Sequence, residues 1–400
     1  MDINPIVLSI PVFFGLIVIE WVYDWISKGS SYRANDAFGN ISCGIFEQST
    51  GLLVSVLTVG LYSITYEYFH IWNLEQNFIN GVLLFLGVDF LYYWAHRMSH
   101  EVNLFWIGHV VHHQSEEYNL SVALRQGALQ KIFTSPFYLP MAIIGFSPEW
   151  FLYILAWNTL YQFWIHTEKI DKLGPLEWIL NTPSHHRVHH GRDPKYIDKN
   201  HAATLIIWDK IFGTFQAEEE HPHYGITKPV NSFNPIDAHF KPISDLWDEA
   251  RDLTVRERIQ LLLAPPGWAP KRLGGRQYAP EVREESKYTV SLSFTQRLAL
   301  IAAFIVQIGF VSIVLFGAKS LTLLPLISAV LIISINIGTL GTRANGRNPN
   351  LIVEALGLLA TPIFTFWFTH NSILVFGLII AILVCYIPFY RKSQNTAHVV

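Results

Sequence analysis

FINGVLLFLGVDFLYYWAHRMSHEVNLFWIGHVVHH, residues 78–113, is the stretch on which the fold turns. Phe78 to Ala95 is an almost continuous apolar run, close to the roughly 20 residues an α-helix needs to cross a bilayer. It passes without a Gly or Pro into His96-Arg-Met-Ser-His100. Two imidazoles at i and i+4 share one helical face, about 6 Å apart along the axis. His109-Val-Val-His112-His113 follows with i, i+3 and i+4, again on one face. A membrane helix that continues into a histidine-bearing end implies an all-α membrane protein with a polar cap.

Working outward, apolar runs of membrane length recur at Pro5 to Ile26, Cys43 to Thr65, Ala299 to Phe316, Leu321 to Leu340, Leu351 to Phe368 and Ile373 to Tyr390. Ala128 to Phe146 and Trp150 to Ile165, split by Ser147-Pro148, read as a shorter helical hairpin. The expectation is an all-α polytopic membrane bundle of about nine spans with a cytosolic histidine-rich metal-binding cap. The first run has no basic residues before it and no cleavage site, so it reads as a retained anchor rather than a removed signal.

Composition agrees. Of 400 residues 51% are hydrophobic and 15% charged, against about 25% charged in soluble domains, and mean hydropathy is +0.28. A formal net charge of −3 gives no basic field for nucleic acid. Cys43 and Cys385 both lie in apolar runs, read as packing residues, and cannot form a disulfide framework. Basic residues orient the spans by the positive-inside rule. Lys28 and Arg33 follow the first span, Arg97 follows the third, and residues 169–297, Arg343, Arg347, Arg391 and Lys392 fall on the same side. The loop 66–77 has Glu67 and Glu75 but no Lys or Arg, and Lys319 is the one basic residue on the outer side. This N-out, C-in reading puts the clustered histidines on the cytosolic face of a multi-pass membrane protein.

The chain has 17 histidines, and ten lie between His96 and His190. His186-Arg-Val-His189-His190 repeats the i, i+3, i+4 pattern, and His166 ends the second hairpin segment. Nine candidate metal ligands therefore come from four segments: His96, His100, His109, His112, His113, His166, His186, His189 and His190. Neutral imidazole suits zinc, copper, iron and nickel. Four ligands satisfy one zinc, whereas nine fit two ions. A set without nearby thiolate suits oxygen chemistry. His185 reads as ligand, outer donor or mere neighbour, and Glu101 as an acceptor for an imidazole N–H. His100-Glu101 is not a zinc-protease motif, because its second histidine would fall at Leu104. His70, His201, His221, His223, His239, His370 and His398 read as ordinary surface or hydrogen-bonding residues. Asn119 and Ser121 form a glycosylation sequon expected to be unmodified in the cytosol. Trp94, Trp106, Phe163 and Trp164 read either as walls of an alkyl channel or as interfacial aromatics.

HxxxH, HxxHH and a second HxxHH on an apolar scaffold resemble the fatty acid hydroxylase/sterol desaturase superfamily. Residues 96–126 and 162–216 are similar to its alkylglycerol monooxygenase branch, the glyceryl-ether-cleaving enzymes. His201 departs from that pattern, standing where an aromatic residue is expected. The resemblance implies two iron ions held by the nine histidines. It also implies O2, an ether-lipid substrate hydroxylated next to the ether oxygen to release a fatty aldehyde, and tetrahydrobiopterin as electron donor. No residue stands out as a pterin site. The location implied is the endoplasmic reticulum membrane in a eukaryote or the inner membrane in a bacterium. Residues 1–250 would form the catalytic membrane domain, 251–293, rich in Arg, Pro and Gly, a cytosolic linker, and 294–400 a four-helix membrane region. The competing readings are a sterol or fatty-acid hydroxylase or desaturase of the same superfamily, a metal-dependent membrane hydrolase, and a transporter or receptor. The last four apolar runs carry few ionisable residues, chiefly Glu354, where a transport path favours more.

Overall fold

A computed structural model describes residues 5–282 and 287–390, with only the backbone described at 5–8. Arg391, Lys392 and His398 lie outside the described residues. The described chain is helical, with no strand beyond two isolated bridges. It falls into two compact units: one takes the chain to Asn231 and resumes from Asp237 to Lys287, the other takes Ser232–Ile236 and the chain from Tyr288.

The first unit opens with α1 (Pro5–Ile26), α2 (Ala34–Phe69) and α3 (Phe78–Glu101). Each is long and apolar enough to cross a membrane. α2 has 36 residues, about 54 Å, against a hydrocarbon core of about 30 Å. Its first half buries Asp36, Asn40, Ser42, Glu47 and Ser49, while Val56, Leu57 and Ile64 of its second half are exposed. α3 starts where Asn77 caps Asn80 N at 3.0 Å, and it ends on the two histidines of its last turns. Val102 is extended, φ −130°, and turns the chain into α4 (Asn103–His113).

The expected hairpin is not a pair of membrane-length helices. Residues 128–146 form α5 (Gln130–Thr134), a 3-10 turn (Ser135–Tyr138) and α6 (Leu139–Ile144). Pro136 and Pro140 sit at starts of these pieces, where a missing N–H and fixed φ are tolerated, and each prevents an unbroken helix. Gly145 at φ +116° ends the run, and a Cβ there would lie 1.7 Å from Trp72 O. α7 (Pro148–Trp164) has 17 residues. Seven helices among the described residues, rather than nine, therefore have membrane length and composition. A hairpin returns the chain to its own side, so its loss leaves the side expected for every other loop unchanged.

α8 (Pro183–His189) and α9 (Ile207–Phe212) follow, joined by loops pinned by two buried carboxylates. Asp89 of α3 accepts from Asn158 Nδ2 (2.7 Å), Thr204 N (2.9 Å), Leu205 N (3.1 Å) and Trp208 Nε1 (2.9 Å). Asp209 accepts from His201 N (2.8 Å), Ala202 N (2.8 Å) and Thr214 Oγ1 (2.7 Å). Together they shape residues 200–214.

α10 (Pro235–Ala250) and α11 (Val255–Leu263) come next. The stretch expected as a linker is structured over its first part. Thr254 and Glu257 form a capping box at α11, Leu261 is buried, and Arg272 pairs with Glu257 at 2.7 Å. The α11 end holds the α3–α4 corner, since Ala264 O accepts from Asn103 N (2.9 Å) and Leu261 O from Asn103 Nδ2 (3.0 Å).

The second unit packs α12 (Phe294–Gly317), α13 (Leu323–Ala344), α14 (Leu351–Thr369) and α15 (Ser372–Tyr390) as a four-helix bundle. Its buried charges neutralise each other: Arg343 donates to both oxygens of Glu354 at 2.7 and 2.6 Å.

Candidate metal centre

The nine histidines expected as ligands converge from four segments, and all are buried. They fall into two groups. His96 and His100 of α3, His109 and His113 of α4, and His189 of α8 form one group; His112, His166, His186 and His190 form the other. Within each group one nitrogen per residue lies within 4.8 Å of every other. His113 lies 4.4 Å from His190, and His112 4.6 Å from the same ring, measured between ring centroids, so the groups adjoin.

The outer nitrogens fix the tautomers. Nδ1 of His96 donates to His201 O (2.7 Å), of His112 to Arg125 O (2.7 Å), of His166 to Gln162 O (2.7 Å) and of His189 to Lys199 O (3.0 Å). A carbonyl only accepts, so each Nδ1 carries the proton and each Nε2 presents a lone pair inward. Inside, Nε2 atoms face one another: His96 and His109 at 2.9 Å, His109 and His113 at 3.0 Å, His112 and His166 at 3.3 Å, His166 and His186 at 3.1 Å. Nε2 of His100, His189 and His190 is buried with no hydrogen-bond partner among the described residues. Burying such nitrogens unpaired is costly, and a cation at each group would satisfy them. The residues therefore fit two metal ions with all-nitrogen ligation.

Burial also sets the charge state. It pushes His109, His113, His166, His186 and His190 far below the usual imidazole range. His112 falls to about 4 and His189 to about 3. Neutral imidazole is the ligand form.

Two arginines brace the segments. Arg125 donates Nε to Val111 O (2.6 Å) and Nη2 to Gln114 Oε1 (2.7 Å), fixing the carbonyl that orients His112. Gly127 lets this loop approach α4; a Cβ there would lie 1.7 Å from Gly108 O. Arg187 of α8 forks onto Glu218 (2.7 Å twice) and donates to Thr167 O (3.1 Å) and Ile170 O (2.8 Å), tying α8 to the turn that carries His166.

A family model described as Fatty acid hydroxylase matches residues 81–214, the stretch that holds all nine histidines. Alkylglycerol monooxygenase from Homo sapiens is 39% identical over 401 residues, covering 97% of this chain and 89% of that protein. The chain belongs to the alkylglycerol monooxygenase family. The Xenopus tropicalis protein of that name is 44% identical over 285 residues, 69% of this chain and 62% of its own length. The Danio rerio one is 42% identical over 282 residues, 69% and 63%. No solved structure matches.

Other residues singled out from the sequence of this family member are placed differently. Glu101 pairs with Arg97 (2.9 Å) rather than with an imidazole. His185 stands outside both groups, with Nε2 3.9 Å from Glu177 and its ring against Phe215. His201 is no surface residue: it is fully buried, its carbonyl orients His96, and its ring lies 5.1 Å from that of His100. Asn119 is buried and donates to Ser31 O (2.6 Å), so the sequon amide is engaged internally. Of the four aromatics, Phe163 stacks on Phe13 (3.9 Å) and Trp94 packs against Phe212 (5.0 Å). Trp164 lies against Tyr161 (5.6 Å), whereas Trp106 lies beside His100 (5.1 Å) and His113 (5.6 Å). The carbonyl acceptors and the Asp89 and Asp209 braces were not found from the sequence. Every residue has a carbonyl, and a lone Asp in an apolar run carries no motif.

Proposed function

We propose that this chain is a membrane diiron monooxygenase that hydroxylates the carbon next to the ether oxygen of an alkylglycerol. The observation that carries the reading is the pair of adjoining, buried, all-imidazole groups in a chain of the alkylglycerol monooxygenase family. His96, His100, His109, His113 and His189 would hold one iron, and His112, His166, His186 and His190 the other. Bound iron would supply activation of O2 for cleavage of the lipid C–H bond.

The reaction balances as R–H + O2 + two electrons + two protons giving R–OH + H2O. The hydroxylated carbon is a hemiacetal, which collapses to a fatty aldehyde and the free glycerol hydroxyl. Tetrahydrobiopterin from the aqueous side would supply the electrons. The chain's own part is to hold neutral imidazoles rigid: carbonyls fix the rings, and Asp209 and Arg125 fix the carbonyls of His201 and Arg125 itself. α3 brings its histidines to the end of a membrane-length helix, so an alkyl tail can stay in the bilayer while its polar end reaches the metals. The basic loops favour the cytosolic face, in the endoplasmic reticulum of a eukaryote or the inner membrane of a bacterium.

The test uses the purified full-length protein. About two irons per chain and aldehyde release from an alkylglycerol, dependent on both O2 and tetrahydrobiopterin, are expected. His112→Ala or His189→Ala should abolish activity and lower bound iron. Zinc alone with no oxygen uptake would overturn the reading, and turnover of a sterol or fatty acid in preference to an alkylglycerol would move the enzyme elsewhere in the superfamily.

A further inference from the structure

Two segments of the first unit, both outside every membrane-length helix, carry exposed apolar side chains. The 3-10 turn Gly174–Trp178 and the residue after it present Leu176, Trp178 and Ile179, and α9 presents Ile211 and Phe212. Trp178 is 72% exposed and Ile211 65%. The segments are joined: Ile206 N donates to Ile179 O (2.9 Å), and Lys210 Nζ donates to Glu177 O (2.9 Å) and Trp178 O (3.0 Å). An exposed apolar surface of this kind marks a contact with a partner protein or a membrane.

Its height along α3 decides between them. Asp89 accepts from Thr204 N, Leu205 N and Trp208 Nε1. Trp208 packs on Phe90 (5.1 Å), and Phe212 on Tyr93 (5.4 Å) and Trp94 (5.0 Å). At a rise of 1.5 Å per residue, Asp89 to Trp94 lie about 16 to 24 Å from Phe78, where the apolar run begins, and His96 about 27 Å. The hydrocarbon core of a bilayer is about 30 Å thick. α9 therefore flanks the apolar part of α3, nearer the bilayer centre than the first histidine of the metal centre.

We propose that residues 174–180 and 204–212 form a re-entrant wedge seated among the acyl chains of the leaflet on the histidine side, with Leu176, Trp178, Ile179, Ile211 and Phe212 as its lipid-facing surface. Irregular backbone at that depth is tolerated only where its polar groups are satisfied within the protein. The joint meets that condition. Asp89 takes the amides of Thr204 and Leu205, Ile179 O takes the amide of Ile206, and Thr204 O takes the amide of Asn181 (2.8 Å). Lys210 covers the carbonyls of Glu177 and Trp178, which water would serve equally well if the turn faced the cytosol. The lysine stem lies along the apolar surface while its ammonium is spent on those oxygens. The wedge is continuous with the lipid-facing side of α3 through Phe90 and Trp94. The same loop carries His201 O, so the lipid contact steadies a group that orients His96.

The proposal rests on α3 as a membrane span and not on the reaction the chain performs. The experiment places the full-length protein, with the two buried cysteines changed by Cys43→Ala and Cys385→Ala, in phosphatidylcholine nanodiscs. A nitroxide is attached at one new cysteine at a time: Trp178→Cys or Ile211→Cys on the wedge, Leu86→Cys on the exposed side of α3, and Tyr278→Cys on an exposed loop. Power-saturation EPR reads collisions with oxygen, which concentrates in lipid, and with a water-soluble nickel chelate. The labels at 178 and 211 should match the label at 86, with nickel collisions lost and oxygen collisions gained, while the label at 278 keeps its nickel collisions. Nickel collisions at the level of the 278 label at either wedge position overturn the proposal, because the surface then faces water. Spin–spin broadening at 178 or 211 that disappears on dilution with unlabelled protein assigns the surface to a second copy of the chain and also overturns it. Nickel collisions at 86 as well overturn the span reading of α3, and the proposal falls with it. Ile179→Cys takes the place of either wedge variant that fails to fold, as judged by gel filtration.

Discussion

Replacing Arg187 by methionine removes a side chain that ties α8 to the turn after His166. Its guanidinium makes two bonds of 2.7 Å to Glu218 and two to backbone carbonyls at 3.1 and 2.8 Å. Arg187 is buried and Glu218 half-buried, with side chains 6% and 12% exposed, so solvent does little to screen the loss. Removing one member of a buried pair costs about 3–5 kcal/mol, because the other charge is left uncompensated. For a unit of this size that lowers the thermal midpoint by on the order of 10 °C. The metal effect should be selective. His166, His186 and His190 belong to the four-histidine group, whereas the five-histidine group takes only His189 from this region. Arg187→Met should therefore lower iron from about two per chain toward one, with a matching loss of aldehyde release. Arg187→Met with Glu218→Met removes both charges and should recover much of the thermal midpoint but not the second iron, because the carbonyls of Thr167 and Ile170 stay untied. Metal analysis and a thermal scan on the two variants suffice. Two irons and an unchanged midpoint in Arg187→Met would refute the reasoning.

Acid should strip the metals. Burial holds His112 at about 4 and His189 at about 3, below the ordinary 6.5, so the neutral form is favoured by the fold; its contribution is complete above about pH 6.5 and shrinks as pH falls toward 4. Stepwise dialysis should show metal retained at pH 7 and 8 and released between about 6 and 4; loss on raising the pH would contradict this sign. Asp89→Ala leaves four donors without their acceptor, at about 1–3 kcal/mol for each buried group left unmade. It should lower both the thermal midpoint and the iron content, and an unchanged iron content would detach residues 200–209 from the metal site. Arg343→Met should destabilise the second unit by about 3–5 kcal/mol, read by limited proteolysis, while iron per chain stays at the wild-type level.

How much of this was legible follows from which signals a sequence carries. The nine histidines could be found because a rare residue type recurs at helical spacing, and imidazoles at i, i+3 and i+4 necessarily share a face. Their division into five and four was not legible. It depends on how α4 is rotated against α3 and α8, which sends His109 and His113 to one group and His112 to the other. The break in the first arm of the hairpin was not legible because hydropathy counts apolar residues and is blind to where Pro136 and Pro140 remove backbone donors. His201 was misjudged for a related reason: its part in the site is played by its carbonyl, which every residue has.

Asp89 joins these cases. A carboxylate inside a membrane-length helix is costly unless it is paired, and the apolar run around it concealed that cost. Its partners lie 69 to 119 residues away, and three of the four belong to Thr204, Leu205 and Trp208. The same loop supplies the carbonyl that points Nε2 of His96 inward. The charge is tolerated in α3 because it anchors that loop, so the orientation of a ligand on the helix depends on a second residue two turns earlier, through a segment more than 100 residues away.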